Sequence, residues 1–144
     1  MSATTSVAAS EARRPQPTPD PDSQGFWDAT ASGELRICRC RECRTWMHPP
    51  QEVCPQCANE VSFEPVPGTG IVYSFIIVRH PAVEGFEVPY VIAVTELDGT
   101  DGIRLSTRLV DVDPERVWIG MPVRVRIVDH PGGDFRVPVF APAE

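Results

Sequence analysis

The sequence predicts a mainly β protein, in which a short N-terminal helix and a small cysteine-rich module precede a barrel of five strands. Sixteen prolines and ten glycines among 144 residues disfavour long helices and favour short strands joined by turns. Four of the five cysteines form two Cys-x-x-Cys pairs, and five runs rich in β-branched and aromatic residues follow them. The length suffices for one compact domain and one small module.

The start of the chain is interpreted as a disordered tail. Residues 1–20 are rich in Ala, Ser, Thr and Pro and offer nothing to bury. No apolar stretch follows Arg13-Arg14, so no secretory signal is predicted. No run elsewhere approaches the roughly 20 apolar residues of a membrane span. We therefore expect a cytoplasmic protein without a membrane anchor, a compartment in which thiols stay reduced.

A short helix is predicted within residues 21–34. Asp22 is the expected N-cap, and Gly33 offers a left-handed stop. Phe26 and Trp27 must dock on the rest of the protein or on a ligand, because so short a helix is unstable alone.

Residues 35–60 carry the four cysteines of a predicted zinc ribbon of the rubredoxin-like type. Cys40 pairs with Cys43 and Cys54 with Cys57, and the two intervening residues let both sulfurs of each pair face one point. Four thiolates saturate a tetrahedral Zn²⁺, so the site is interpreted as structural. Disulfides are disfavoured in a chain without a secretory signal. Iron remains an alternative, since sulfur spacing does not separate it from zinc.

Other residues of the ribbon bear on its stability. Too few of them are apolar for the ribbon to fold without metal, so metal binding and folding are expected to be coupled. Cys38 lies two residues before the first pair. We interpret it as a strand residue. The alternative is that Cys38 replaces one of the four cysteines as a metal ligand.

Four arginines crowd the first cysteine pair: Arg36, Arg39, Arg41 and Arg44. Beside an apolar wall formed by Trp27 and Trp46, such guanidinium groups could hold a nucleotide phosphate and stack an adenine. Alternatively, they are solvated arginines that offset the negative charge of four zinc-bound thiolates. The sequence leaves both interpretations open.

Residues 61–144 predict the barrel. The five predicted strands are 70–79, 90–97, 103–109, 123–127 and 135–140. A helical turn over 113–120 begins with Pro114 in its first position and separates the third strand from the fourth. Five short strands with a helix between the third and fourth match the Greek-key barrel called the OB-fold.

The order of motifs along residues 17–129 resembles the DUF35 family. The motifs are Gly25-Phe26-Trp27-Asp28, Leu35-Arg36-Ile37, the two Cys-x-x-Cys pairs around His48-Pro49-Pro50, Gly68-Thr69-Gly70-Ile71-Val72-Tyr73-Ser74 and Pro89-Tyr90-Val91-Ile92-Ala93. The resemblance implies a zinc-ribbon and OB-fold protein that is associated with acyl-CoA metabolism.

The resemblance also implies an accessory role beside an enzyme that holds the catalytic residues. Such partners are thiolase-like and include thiolases, hydroxymethylglutaryl-CoA synthases, acetyltransferases and the sterol-carrier-protein-type aldolases of steroid side-chain breakdown. Some members are instead fused to, or work with, a MaoC-type hydratase; here no fusion is seen, so the partner is expected on a separate chain. On this basis Trp27, Arg44 and Trp46 are candidate acyl-CoA-binding residues.

The residues alone provide no recognisable catalytic set. The three histidines, His48, His80 and His130, each precede a proline, which favours extended or turn backbone at the ends of elements. No motif ties a serine or carboxylate to them, and a closed zinc site offers no metal-bound water. We expect no turnover by this chain alone.

A single-stranded nucleic-acid-binding module is the alternative function, because zinc ribbons and OB-folds both serve it. Charge argues against this alternative. The chain has a formal net charge of −7, with thirteen arginines and no lysine. Residues 61–144 carry 12 acidic residues and 7 arginines, a net of −5, which opposes the phosphate contacts that dominate nucleic-acid affinity.

Overall fold

The computed structural model describes residues 14–80 and 83–143. It confirms the mainly β class, with one short helix, a four-cysteine ribbon and then a closed barrel of five strands. The elements are α1 (Gln24–Ala31), β1 (Arg36–Cys40), β2 (Trp46–Met47), β3 (Val61–Pro65), β4 (Thr69–Val78), β5 (Tyr90–Leu97), β6 (Arg104–Leu109), a 3₁₀ turn (Pro114–Arg116), β7 (Pro122–Asp129) and β8 (Arg136–Pro142). Over these residues, no helix is both long enough and apolar enough to cross a bilayer.

The first described residues lie against loops of the barrel. Of the tail expected over 1–20, residues 1–13 lie outside the described part of the chain. Arg14 Nε donates a hydrogen bond to the carbonyl of Gly85 at 2.6 Å. Gln16 Nε2 donates to the carbonyl of Pro131 at 2.9 Å. The segment from Arg14 to Gln16 therefore has specific partners on the barrel, which its composition did not indicate.

Helix α1 begins after Ser23 and lacks the expected side-chain cap from Asp22. The preceding turn closes instead when the carboxylate of Asp20 accepts from the Ser23 amide at 2.8 Å. The helix ends as expected, since Gly33 adopts a φ of 83°, a left-handed conformation in which a Cβ would be strained. Phe26 is buried beneath the helix.

The ribbon sheet has the strand order β2-β1-β3. Strand β3 pairs antiparallel with β1 from Cys40↔Val61 to Arg36↔Pro65. The ribbon sheet thus extends past residue 60, where the sequence pattern predicted the change to the barrel. The alternation of residues in β3 is typical of a strand in either sheet, so periodicity does not reveal which sheet it joins.

The barrel closes in the order β4-β5-β6-β8-β7, with β7 pairing back onto β4. All pairs are antiparallel except β6 with β8, which meet in parallel at Leu109↔Phe140. The 3₁₀ turn lies between β6 and β7, and the side chain of Asp113 accepts from the amide of Glu115 at its start. This is the five-stranded OB-fold arrangement.

One hydrophobic core joins the barrel to α1 and the base of the ribbon. Strand β5 alternates strictly, with Val91 and Ala93 buried inside the barrel and Ile92 turned outward. Phe26 and Ile37 belong to the same cluster of buried residues as these barrel side chains. The helix and ribbon are therefore docked on the barrel by buried apolar contact.

Candidate metal centre and ligand cleft

The two cysteine pairs meet at one end of the ribbon. The Sγ atoms of Cys40, Cys43, Cys54 and Cys57 all lie within 4.8 Å of one another. Cys40 Sγ is 3.5 Å from Cys57 Sγ, and Cys43 Sγ is 3.6 Å from Cys54 Sγ. Four sulfurs about 2.3 Å from one zinc ion would be ~3.8 Å apart, whereas a disulfide needs about 2.05 Å. The four cysteines are thus positioned to bind a structural zinc ion.

Each cysteine pair forms a turn with matching geometry. The amide of Glu42 donates to Cys40 Sγ at 3.4 Å, and the amide of Gln56 donates to Cys54 Sγ at 3.3 Å. The residue after each pair is left-handed, with φ of 65° at Arg44 and 60° at Ala58. These backbone turns point both sulfurs of a pair inward.

Hydrogen bonds and burial set the acidity of the thiols. The hydroxyl and amide of Thr45 lower the pKa of Cys43 to about 6. Burial raises the pKa of Cys54 to about 11. Hydrogen bonds from Asn59 lower the pKa of Cys57. Donors thus already favour the thiolate at two of the four positions, which is the form that a metal binds.

Cys38 lies outside this group of four. It is fully buried on β1, in register with Phe63 of β3 and Met47 of β2. Burial raises the pKa of the Cys38 thiol. The structure therefore places Cys38 as a strand residue of the ribbon sheet.

Two of the candidate acyl-CoA-binding residues lie on the ribbon sheet and have partners there. Arg44 and Arg39 reach the carboxylate of Glu64, at 2.7 and 3.5 Å. The Arg44 hydrogen bond holds the pKa of Glu64 below its ordinary value. The Arg39 guanidinium also lies 4.3 Å from the centroid of the Trp46 ring. In this arrangement, ribbon arginines offset a nearby carboxylate and cover the indole.

The third candidate, Trp27, faces a different surface. Its ring meets Phe26 edge-on, with centroids 5.0 Å apart. It lines a cleft that neither Arg44 nor Trp46 lines. The structure therefore divides the three residues between the ribbon sheet and this cleft.

The cleft has a volume of about 430 Å³ and lies between α1, the ribbon corner and the outside of the barrel. Strands β5, β6 and β8 form its floor, while the β4–β5 and β7–β8 loops contribute to its sides. Its larger apolar side chains are Phe26, Trp27, Phe86, Tyr90, Ile92 and Val137. Sequence reasoning missed all but Trp27 as site residues, although the outward position of Ile92 in an alternating strand was a signal.

Few charged or basic side chains line the cleft. They are Arg108, His48 and His130, and Ser23, Ser106 and Thr107 add hydroxyl groups. Burial lowers the pKa of His48 and so favours the neutral form of its ring. The Nδ1 atom of His48 is buried and has no hydrogen-bond partner among the described residues. A buried ring nitrogen of this kind can accept or donate a hydrogen bond to a bound molecule or to water.

Two family models match adjoining parts of the chain. The zinc ribbon matches "ChsH2, rubredoxin-like zinc ribbon domain" over residues 27–64, and the barrel matches "ChsH2, C-terminal OB-fold domain" over residues 63–128. A DUF35 domain-containing scaffold protein of Methanocaldococcus jannaschii is 40% identical over 102 residues, which cover 67% of this chain and 70% of that protein. The chain belongs to the DUF35 family, as its motifs predict.

Longer relatives are subunits of hydratases. The chain is 40% identical over 136 residues to a probable enoyl-CoA hydratase alpha subunit of Thermomonospora curvata, covering 92% of this chain and 41% of that protein. It is 38% identical over 117 residues to the 3-oxo-4,17-pregnadiene-20-carboxyl-CoA hydratase alpha subunit of Mycobacterium tuberculosis. That match covers 81% of this chain and 37% of that protein. This chain thus spans about two-fifths of the length of these two relatives.

Solved structures share the fold. A chain of the Ltp2-ChsH2(DUF35) aldolase superposes with a TM-score of 0.82 at 39% identity, covering 90% of this chain and 100% of that one. A DUF35 protein of Sulfolobus solfataricus superposes with a TM-score of 0.58 at 14% identity, covering 99% and 98%, and supports the fold alone.

Proposed function

We propose that this chain is a non-catalytic, acyl-CoA-associated accessory subunit that binds and supports an enzyme of the thiolase superfamily. The observation that carries the proposal is the match, over 90% of this chain, to a chain of the Ltp2-ChsH2(DUF35) aldolase. The name of the M. jannaschii relative, a scaffold protein, supports the same role. The complex would be a lyase or an acyltransferase in which this subunit is required and the partner performs the chemistry.

The positions of the histidines support a non-catalytic role. His48 packs against Phe26, with ring centroids 6.0 Å apart. His130 Nε2 lies 2.8 Å from the carbonyl oxygen of Pro15, so one ring nitrogen contacts the N-terminal segment. Among the described residues, neither histidine has a hydrogen bond to a serine, cysteine or carboxylate side chain, and the zinc site has four sulfurs and no open position.

The outside of the barrel offers an apolar surface for the partner. Its exposed side chains, which we term the β4 patch, are Ile71, Tyr73, Trp118 and Ile119. The amide of Gly120 donates to the carbonyl of Val72 at 2.7 Å, which holds the loop that carries Trp118 beside β4. Exposed aromatic and aliphatic side chains grouped in this way favour protein contact. In our proposal the barrel and its loops face the partner.

The CoA ester is proposed to contact residues outside the β4 patch. Trp27 would contribute from the cleft, and Arg44 and Trp46 from the ribbon sheet. The Arg44 side chain is 47% exposed and keeps donors available beyond its bond to Glu64. Among thiolase-like partners, a thiolase, an acyltransferase or the aldolase that cleaves steroid side-chain CoA esters all fit this arrangement, and the last would place the chain in steroid degradation.

Copurification tests the partner. Untagged chain, captured from its native cell, should bring down a thiolase-superfamily enzyme, and Trp118→Ala together with Ile119→Ser should weaken that capture. The isolated chain should turn over no acyl-CoA, whereas addition of the copurified enzyme should restore turnover. Robust turnover by the chain alone, abolished by substitution of His48, His80 or His130, would overturn the proposal.

Two other outcomes would redirect it. Capture of a hydratase subunit alone would favour a role like that of the T. curvata and M. tuberculosis relatives, whose names describe hydratase alpha subunits. Tight, salt-sensitive binding to single-stranded oligonucleotides would favour the nucleic-acid module. The net charge of −5 over residues 61–144 opposes that second outcome.

A further inference from the structure

The cleft lies where OB-folds bind their ligands. In that fold the second and third strands, with the loops between strands one and two and between strands four and five, form the binding face. Here β5 and β6 are the second and third barrel strands, and Phe86 and His130 lie in the two corresponding loops. Helix α1 and the His48 corner cover this face, so a surface that is open in polymer-binding OB-folds is a roofed cleft in this chain.

The lining selects an apolar ligand of moderate size. Ile92 of β5, Phe26 of α1 and Phe86 of the β4–β5 loop all line the cleft. The volume of about 430 Å³ falls within the roughly 300–1,000 Å³ that small-molecule sites occupy. A medium-length acyl chain or a fused ring system fits that space.

The charges of the lining disfavour cations. No acidic residue is among the described side chains that line the cleft, whereas Arg108 and two histidines are. A second depression of about 460 Å³ has the opposite character, since Asp20, Asp22 and Glu52 line it. The cleft is therefore compatible with an apolar group attached to an anionic carrier. The acidic side chains of the second depression would repel such a carrier.

His48 adds an unsatisfied polar atom beside the cleft. Its Nδ1 atom is buried without a hydrogen-bond partner among the described residues, while the ring packs against Phe26. A buried polar atom without a partner costs free energy, which a water molecule bound beside it would recover.

We propose that this cleft binds the apolar acyl group of a CoA thioester. The apolar class of the ligand follows from the lining alone, whereas its attachment to CoA rests on the function proposed above. The acyl group lies over Ile92 between the two phenylalanines, and the thioester end lies toward the polar groups of the cleft.

Titration calorimetry on the full-length, zinc-loaded chain tests the site without a partner enzyme. The probes are butanoyl-, hexanoyl- and octanoyl-CoA, with CoA and octanoate as controls. Affinity should rise with acyl length, by up to about fourfold for each added methylene, until the cleft is filled. CoA alone should bind far more weakly than octanoyl-CoA, and octanoate should compete with octanoyl-CoA. An affinity that does not depend on acyl length, or the absence of binding, would overturn the proposal.

A pair of matched variants locates the site. Ile92→Trp fills the floor of the cleft and should weaken octanoyl-CoA binding at least tenfold. Val94→Trp places the same ring on the same outward face of β5, two residues along and outside the cleft, and should change affinity less than twofold. Equal effects of the two variants would exclude the cleft. Zinc content and melting temperature establish that each variant folds.

Phe86→Ala provides the test if Ile92→Trp does not fold. The variant removes a wall from a loop rather than from the barrel, and it should weaken octanoyl-CoA several-fold while leaving zinc bound; unchanged affinity would overturn the proposal. Capture of a thiolase-superfamily enzyme is measured separately. Failure of acyl binding with normal capture refutes this site alone, whereas acyl binding without such a partner refutes the proposed function alone.

Discussion

The indole ring of Trp27 lies edge-on to the phenyl ring of Phe135, with ring centroids 5.7 Å apart. Trp27 belongs to α1, whereas Phe135 immediately precedes β8 of the barrel. An edge-to-face pair of this kind is favourable beyond the apolar area that it buries. The contact therefore helps to hold the helix over the cleft and links the N-terminal part of the chain to the barrel.

Trp27→Ala should lower the free energy of unfolding by about 2 kcal/mol, because a half-buried indole loses its contacts with both Phe26 and Phe135. Trp118→Ala is the matched control. Its ring is 55% exposed on the β4 patch, so the change should stay within about 0.5 kcal/mol. Urea denaturation measures both, and zinc content should remain at one ion per chain. Equal losses for the two variants would contradict a role for Trp27 in docking the helix.

Two cysteine-to-alanine variants separate the metal ligands from their buried neighbour. Cys43→Ala leaves an incomplete tetrahedron, so the purified protein should lack stoichiometric zinc and the ribbon should unfold. Cys38→Ala removes a buried thiol outside the site and should keep one zinc ion at a cost of about 1 kcal/mol. Elemental analysis and circular dichroism check both. A chelator should reproduce the Cys43→Ala spectrum, and normal folding of Cys43→Ala would refute a structural metal.

Ala58→Gly should stabilise the zinc-loaded protein by about 0.5 kcal/mol. Ala58 is exposed and holds a φ of 60°, where a Cβ is strained and glycine is not. The gain is reduced by the greater freedom of glycine in the unfolded chain. Ala31→Gly, at an exposed position of α1, should instead destabilise by up to about 1 kcal/mol. The melting temperature should rise for Ala58→Gly and fall for Ala31→Gly. A lower melting temperature for both variants would contradict this prediction.

Glu64→Gln should lower stability by about 0.5–1 kcal/mol at neutral pH, since it removes the charge that Arg39 and Arg44 share. The pKa of Glu64 is lowered in the folded state, so its stabilisation is complete above the ordinary value of 4.5 and is lost as pH falls through the lowered pKa. The difference between wild type and variant should therefore be the same at pH 7 and pH 6. It should shrink in 1 M NaCl, because salt screens partly exposed charges. A difference that grows with salt would contradict an ionic origin.

Local sequence patterns were sufficient to predict most of the fold. The alternation of residues predicted strands over 90–97 and 103–109, and the structure has Tyr90–Leu97 and Arg104–Leu109. Cysteine spacing likewise sufficed to predict the zinc site, because two short turns determine where the sulfurs point. Such features depend on neighbours within a few residues, which a single sequence displays directly.

Contacts between residues far apart in the chain could not be predicted from the sequence. Nothing in the sequence pairs Arg44, between β1 and β2, with Glu64, twenty residues later on β3. The need for glycine at position 25 also comes from a distant residue, since a Cβ on Gly25 would lie 2.2 Å from the ring of Phe63 on β3. The cleft combines one helix, one ribbon corner and three barrel strands, so its existence follows from docking rather than from any single motif.

The closure of the barrel limits how another protein can attach to it. Within the described barrel, β5 is paired along its length with both β4 and β6, whereas β4 pairs with β7 only over Thr69–Ile71 and β6 meets β8 at one residue pair. In the ribbon sheet, by contrast, β2 and β3 are edge strands. Recognition at the face of β5 must therefore occur through side chains, which single substitutions can remove one at a time. Main-chain recognition, which tolerates most substitutions, is left to the unpaired edges of β4, β6 and the ribbon strands.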